Sequence, residues 1–344
     1  MPSIRQALSL LPRGAITGIG SLPHTQMELG LQMALAVDVP YMPQLPAGNP
    51  AELMVPQALE GLPGLQISDD GSCRVDLGAW EAGRAELDAR LQTALRGDAR
   101  AFLPGAAACR ALRPFLWEVR ERKLPFAKAQ LAGPLTVRWS TRLQGGGILA
   151  DHPGLDTQVF RLVLVRALAL VQAVREAAAT PLFYLDEPGL YALDDRDPRH
   201  LAALSELRLL VAALRREGAL VGVHCCGNTR WAELLGLGID VLSFDVRLSL
   251  DAILDEPEAV GAFLDAGGAF SLGIVPTDLA GEGDPLELAR AVDTSVAATL
   301  PGRRDALRHI LLTPACGLAL RTAPEAERIF EGVRAARSAL LTPG

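Results

Sequence analysis

The segment V-G-V-H-C-C-G-N at 221–228 sets one histidine beside two cysteines. Its first half has strand character, and alternate residues of a strand point to the same side. His224 and Cys226 therefore share a face, while Cys225 takes the other. An imidazole and a thiolate at i and i+2 form half a site for zinc, a borderline-soft ion that binds nitrogen and sulfur. The same residues also read as buried cysteines beside a core histidine. A further candidate ligand, Cys316, sits in T-P-A-C-G-L at 313–318, just past a strand-like run. Alone it reads as a small residue filling a loop. With His224 and Cys226 it completes a catalytic type of zinc site, three protein ligands and one open position. A structural zinc would more often use close-spaced cysteine pairs, and the chain has no C-x-x-C.

Acids and hydroxyls cluster at similar places. Asp245 ends I-D-V-L-S-F-D, where it reads either as a fourth, displaceable ligand or as a helix N-cap. L-D-E-P-G at 185–189 sets Asp186 and Glu187 before a proline that stops the strand. The two acids suit a substrate ammonium group or a general base, and equally suit turn and capping chemistry. G-I-G-S-L-P-H-T at 18–25 offers Ser21, His24, Thr25 and exposed backbone N–H groups, which suit a carboxylate.

The elements that must position these residues are short β-type runs alternating with long amphipathic stretches. Eight candidate strands are AITGIG (15–20), VPYMPQ (39–44), PFAKAQLA (125–132), PLFYLD (181–186), ALVGVHC (219–225), IDVLSFD (239–245), AFSLGIV (269–275) and HILLTP (309–314). Amphipathic stretches such as 157–178, 200–217 and 285–300 lie between them. The pattern predicts an α/β chain forming a single (β/α)8 TIM barrel, with the polar segments at the strand ends where such barrels carry their active sites. No G-x-G-x-x-G follows the first strand, which argues against a doubly wound nucleotide-binding sheet. Residues 45–124 are too long for one crossover and read as an insertion between strands 2 and 3, within one domain spanning 1–344.

Composition narrows the function classes. The 344 residues are 49% hydrophobic and 21% charged, enough apolar material for a sizeable core. A net charge of −7 and only 5% aromatic residues argue against a nucleic-acid partner, which needs a basic face. No membrane span is expected, because the most apolar stretch, 155–179, is interrupted by Arg161, Arg166, Arg175 and Glu176. The segment MPSIRQALSLLPRG lacks an apolar core of signal-peptide length. Five cysteines in a chain this long make no disulfide framework, so a cytoplasmic location with reduced thiols is expected.

These residues together resemble the uroporphyrinogen decarboxylase/methionine synthase superfamily. The likeness is to the catalytic half of cobalamin-independent methionine synthase and to the zinc methylcobamide:thiol methyltransferases. Its carriers are I-G-S-L-P-H-T (19–25), A-G-P-L-T (132–136), L-D-E-P (185–188), H-C-C-G-N-T (224–229), D-V-L-S-F-D (240–245) and P-A-C-G-L-A-L-R-T (314–322), and it weakens over 45–124. The resemblance implies a (β/α)8 barrel with zinc on His224, Cys226 and Cys316. The family's further acidic ligand, a glutamate, falls on Asp245. Asp186 would hold the amino group of homocysteine and Ser21 its carboxylate. The implied reaction is zinc-dependent S-methylation of a small-molecule thiol, homocysteine to methionine, by a metal-held thiolate attacking a methyl donor. That donor would be methyltetrahydrofolate or a methyl-corrinoid protein. Three departures separate this chain from the full-length folate enzymes, the first being that no residue here is matched to their second acidic contact with the homocysteine amine. These 344 residues do not contain their second, N-terminal barrel, and the loop G-I-V-P-T-D (273–278) lacks their histidine. Competing readings are a methylcobamide-dependent enzyme acting on another thiol, a uroporphyrinogen decarboxylase-like barrel, and a non-catalytic zinc- or thiol-binding protein.

Overall fold

The computed structural model describes the backbone of residues 4–194, 196–278, 284–300, 302 and 309–341. Ten strands occur among them. In chain order these are β1 (Ala15–Ile16), β2 (Leu65–Ile67), β3 (Cys73–Val75), β4 (Phe126–Ala132), β5 (Arg142–Leu143), β6 (Thr180–Asp186), β7 (Leu220–Cys225), β8 (Val241–Asp245), β9 (Ala269–Val275) and β10 (Leu311–Pro314). Seven of them form a curled, wholly parallel sheet in the order β1-β10-β9-β8-β7-β6-β4, with helices between the strands. Those seven correspond to seven of the eight predicted runs.

The remaining predicted strand, 39–44, is not a regular one. It makes isolated parallel bridges, Tyr41 with Lys128 on one side and Ser21 with Gln44 on the other. Backbone bonds from Val39 N to Ile16 O, Met42 N to Lys128 O and Gln44 N to Gly20 O hold it beside both ends of the sheet. Pro40 and Pro43 explain the irregularity, since each removes a ladder donor. The predicted first strand is likewise shorter than its run, regular only at Ala15–Ile16.

Strands β2, β3 and β5 form a separate small sheet, which the periodicity does not foreshadow. Runs of two or three residues are too short to show a two-residue period. Through β5 this sheet reaches past residue 124, where the predicted insertion ends.

Each long strand has two different faces. Val221, Val223 and Cys225 of β7, Leu242 and Phe244 of β8, and Phe270, Leu272 and Ile274 of β9 pack into the core shared with the helices. The opposite face is layered along the strands. Its N-terminal layer is apolar, built from Ala15, Val39, Phe126, Leu182, Val241, Ala269 and Leu311. Above it lie buried polar residues: Thr17, Lys128, Gln130, Ser243, Ser271 and Thr313.

Helix Pro153–Ala177 is long and apolar enough to cross a membrane, yet 67% of its most apolar window is buried inside the protein. It acts as a core helix. Its Arg166 is buried and donates to the carbonyls of Gln57, Ala58, Glu60 and Phe102, tying the helix to the segment that precedes β4. Arg166→Met would leave those carbonyls buried without donors. The expected loss is about 3 kcal/mol of stability, read as a lower urea midpoint at unchanged slope. Arg161→Met, on the exposed side of the same helix, is expected to change it by less than about 0.5 kcal/mol.

Candidate metal centre

His224 is the fifth residue of β7, and the strand alternation turns its ring to the interior face while Cys225 packs into the helix-side core. Ser243, its partner across the β7–β8 pair, lies 3.0 Å from His224 Nδ1. That contact occupies one ring nitrogen and fixes the imidazole. His224 Nε2, by contrast, is buried with no hydrogen-bond partner. A ring held at one nitrogen and bare at the other is the arrangement found when histidine ligates a metal.

Cys226 follows β7 directly, and Cys316 follows β10 by two residues. One ligand atom from each of His224, Cys226 and Cys316 lies within 4.8 Å of the others. Among the described residues these three form the group of His, Cys and carboxylate side chains that could hold a metal ion. The neighbouring Cys316 thiol and His224 imidazole hold Cys226 well below the ordinary thiol range. Cys316, its neighbour, is raised in turn. Cys225 is pushed up to about 12 by burial. The chemistry of the set, one unpartnered imidazole nitrogen and two neighbouring cysteine sulfurs, fits zinc.

Asp186 ends β6 and stands in register with His224. It is buried, its Oδ1 has no hydrogen-bond partner, and burial raises it to about 6 against the pull of His224 and Lys128. Glu187 takes the other direction. Its oxygens accept from Leu135 N, Thr136 N and Thr136 Oγ1, so it caps the helix Pro134–Ser140. Burial pushes Glu187 up to about 7 despite those bonds. Of the two acids of L-D-E-P, only Asp186 thus keeps an oxygen available on the metal side, and Glu187 plays the capping part.

Ser21 approaches the centre from the β1 side. Its carbonyl accepts from Leu318 N at 2.9 Å, and its Oγ accepts from Ala319 N at 3.4 Å. A Cβ at position 317 would lie 2.2 Å from Ser21 Oγ and force that hydroxyl to turn away, so Gly317 lets Ser21 keep this rotamer against the loop carrying Cys316. Asp245 lies outside the group of three. It caps the helix Val246–Leu254, its Oδ1 accepting from Arg247 N and Leu248 N, which is the capping alternative read from the sequence. His24 also lies outside the group. It lines a separate cavity of about 430 Å³ between the helices Met27–Leu35 and Ala323–Leu341.

One feature beneath the site escaped the sequence reading. Lys128, in the middle of β4, is fully buried on the interior face. Its signal was available, a lone charge at an inward position of the run F-A-K-A-Q-L-A.

No known family profile matches this sequence, and no curated protein does. Solved structures resemble it in fold. A B12-independent methionine synthase from Shewanella sp. W3-18-1, in complex with selenomethionine, matches at 14% identity and a TM-score of 0.46, over 66% of this chain and 65% of that one. An endo-beta-1,4-mannanase from Thermotoga petrophila matches at 11% identity and a TM-score of 0.40, over 68% of this chain and 63% of that one. The chain thus spans just under two thirds of the length of each. Likenesses at this level assign no residue and no activity.

The cysteine arrangement is directly testable. In metal-free protein at about pH 6, where an ordinary thiol is almost wholly protonated, iodoacetamide is expected to modify Cys226 first and leave Cys225 untouched. His224→Asn should slow the Cys226 reaction. Peptide mass spectrometry reads both results, and equal rates for Cys225 and Cys226 would contradict the arrangement.

Proposed function

We propose that this chain is a zinc-dependent thiol S-methyltransferase that methylates homocysteine to methionine. The observation that carries the reading is the convergence of His224 Nε2, Cys226 Sγ and Cys316 Sγ beside an Asp186 oxygen that has no partner. In this reading His224, Cys226 and Cys316 hold the ion, and Asp245 remains a candidate fourth ligand if it releases its helix cap. Zinc bound there would lower the pKa of a substrate thiol and keep its sulfur nucleophilic at neutral pH.

The chain's own residues supply the rest. Asp186 binds and orients the substrate ammonium, and Ser21 with its turn meets the carboxylate. Glu187, through its cap on the helix Pro134–Ser140, keeps the L-D-E-P turn rigid. The apolar layer below the site excludes water from one side. In the reaction the thiol gives up its proton, an S–CH3 bond forms, and the bond from methyl to donor breaks.

The same reading takes residues 1–344 as one (β/α)8 barrel domain, with 45–124 as an insertion and the segment 39–44 as the closing stave. Residues 1–3, 195, 279–283, 301, 303–308 and 342–344 of that span lie outside the described residues. The backbone bonds of Val39, Met42 and Gln44 to both ends of the sheet support closure. A second reading differs only in the methyl donor. The loop 273–278 carries no histidine to protonate a departing folate, which favours a methyl-corrinoid protein.

Protein purified without added metal is expected to carry about one zinc per chain, and Cys316→Ala to bind it at least tenfold more weakly. Homocysteine should then change the zinc–sulfur X-ray absorption signature. Methylation assays with methylcobalamin and methyltetrahydrofolate side by side would identify the donor. No zinc in either protein after reconstitution, or no spectral change and no methylation with either donor, would overturn the reading.

A further inference from the structure

Only two of the chain's 33 basic residues are lysines, Lys123 and Lys128. Lys123 lies outside the strands, and Lys128 is a cation fully buried within the sheet. Lys128 Nζ donates to Ile19 O at 2.7 Å and to Gln130 Oε1 at 3.1 Å, and it lies 4.4 Å from the centroid of the Tyr184 ring. Gln130 passes the tie onward, its Nε2 donating to Met42 O at 2.8 Å. A compact ammonium with three donors suits this site, whereas a forked guanidinium would need more room.

Two chains of contact lead from Lys128 to the metal centre. The first runs through Ile19 O into the turn at 19–21, and Ser21 then bonds Leu318 N and packs on Gly317, next to Cys316. The second runs to β6, where Tyr184 lies under the ammonium and Asp186 stands two residues on, in register with His224. β4 and β6 are paired strands, and Lys128 and Asp186 are both buried.

We infer that Lys128 is a positioning residue for the candidate site: it ties the turn bearing Ser21 to the strand bearing Asp186 and supplies the buried counter-charge that sets Asp186 for an ammonium-bearing substrate. The inference deepens the reading of Asp186 as the group that binds the substrate amine, and rests on it. Lys128 itself has no exposed surface and touches no substrate.

The test compares binding of homocysteine and of 4-mercaptobutyrate, the same chain length of thiol acid without the amine, to zinc-loaded protein by calorimetry. Wild type should prefer homocysteine. Lys128→Met should keep its zinc and lose at least tenfold of that preference, with homocysteine weakened well beyond any loss that the freed Ser21 turn causes for 4-mercaptobutyrate. A purely structural role would weaken both thiols alike, and a preference left intact in Lys128→Met would overturn the inference.

A melting-temperature cycle of Lys128→Met, Asp186→Asn and the double variant, all metal-free, decides the pairing without any substrate. Removing one buried charge strands the other, so the double variant should melt above both single ones. Losses that simply add would overturn the inference. If wild type shows no preference between the thiols, the ammonium reading of Asp186 falls, and the melting cycle still judges the Lys128–Asp186 pair.

Discussion

A side chain on a parallel strand has two directions open to it, and in this sheet those directions lead to very different surroundings. One is an apolar layer packed by helices, and the other is a narrow interior that turns polar toward the C-terminal ends of the strands. The whole candidate site depends on this alternation. It parts two doublets of chemically similar residues. Cys225 enters the helix-side core while Cys226 joins His224, and Glu187 caps a neighbouring helix while Asp186 faces the interior. A register slip of one residue in β6 or β7 would exchange these partners and dissolve the arrangement.

The interior is ordered by the cost of burying polarity. At the N-terminal ends of the strands it is filled by apolar side chains, which need no partners. Higher up, charged and hydrogen-bonding groups are admitted where they serve one another: Lys128 on Ile19 O and Gln130, His224 on Ser243. His224 Nε2 and Asp186 Oδ1 at the top have no such partner, and neither do Ser271 Oγ and the Tyr184 hydroxyl lower down. Buried polar atoms without partners are costly and uncommon. His224 Nε2 and Asp186 Oδ1 are on adjacent strands beside the sulfurs of Cys226 and Cys316, which is where a ligand would supply the missing partners.

Barrel-like α/β folds host many unrelated reactions, so the fold alone says little about activity. The functional reading therefore rests on the site: a nitrogen and two sulfurs for a metal, an acid for an amine, and a hydroxyl-bearing turn for a carboxylate.

Much of this was legible from local pattern. Period-two runs located seven of the strands, and the i, i+2 spacing in H-C-C correctly parted Cys226 from Cys225, because strand geometry is local and leaves side chains no third direction. The ends of elements were less legible. Pro40 and Pro43 left the segment 39–44 with single bridges in place of a ladder, and runs of two or three residues hid the small sheet. Which role an ambiguous acid takes was out of reach altogether. Asp245 and Glu187 each had a capping and a site reading, and only the position of neighbouring backbone N–H groups showed them engaged as caps. The approach of Cys316 to residues some ninety positions earlier, and of Lys128 to the turn at Ile19, follows from the curl of the sheet. Such contacts join side chains that no local period relates, so they exist only once the strands have been brought around one interior.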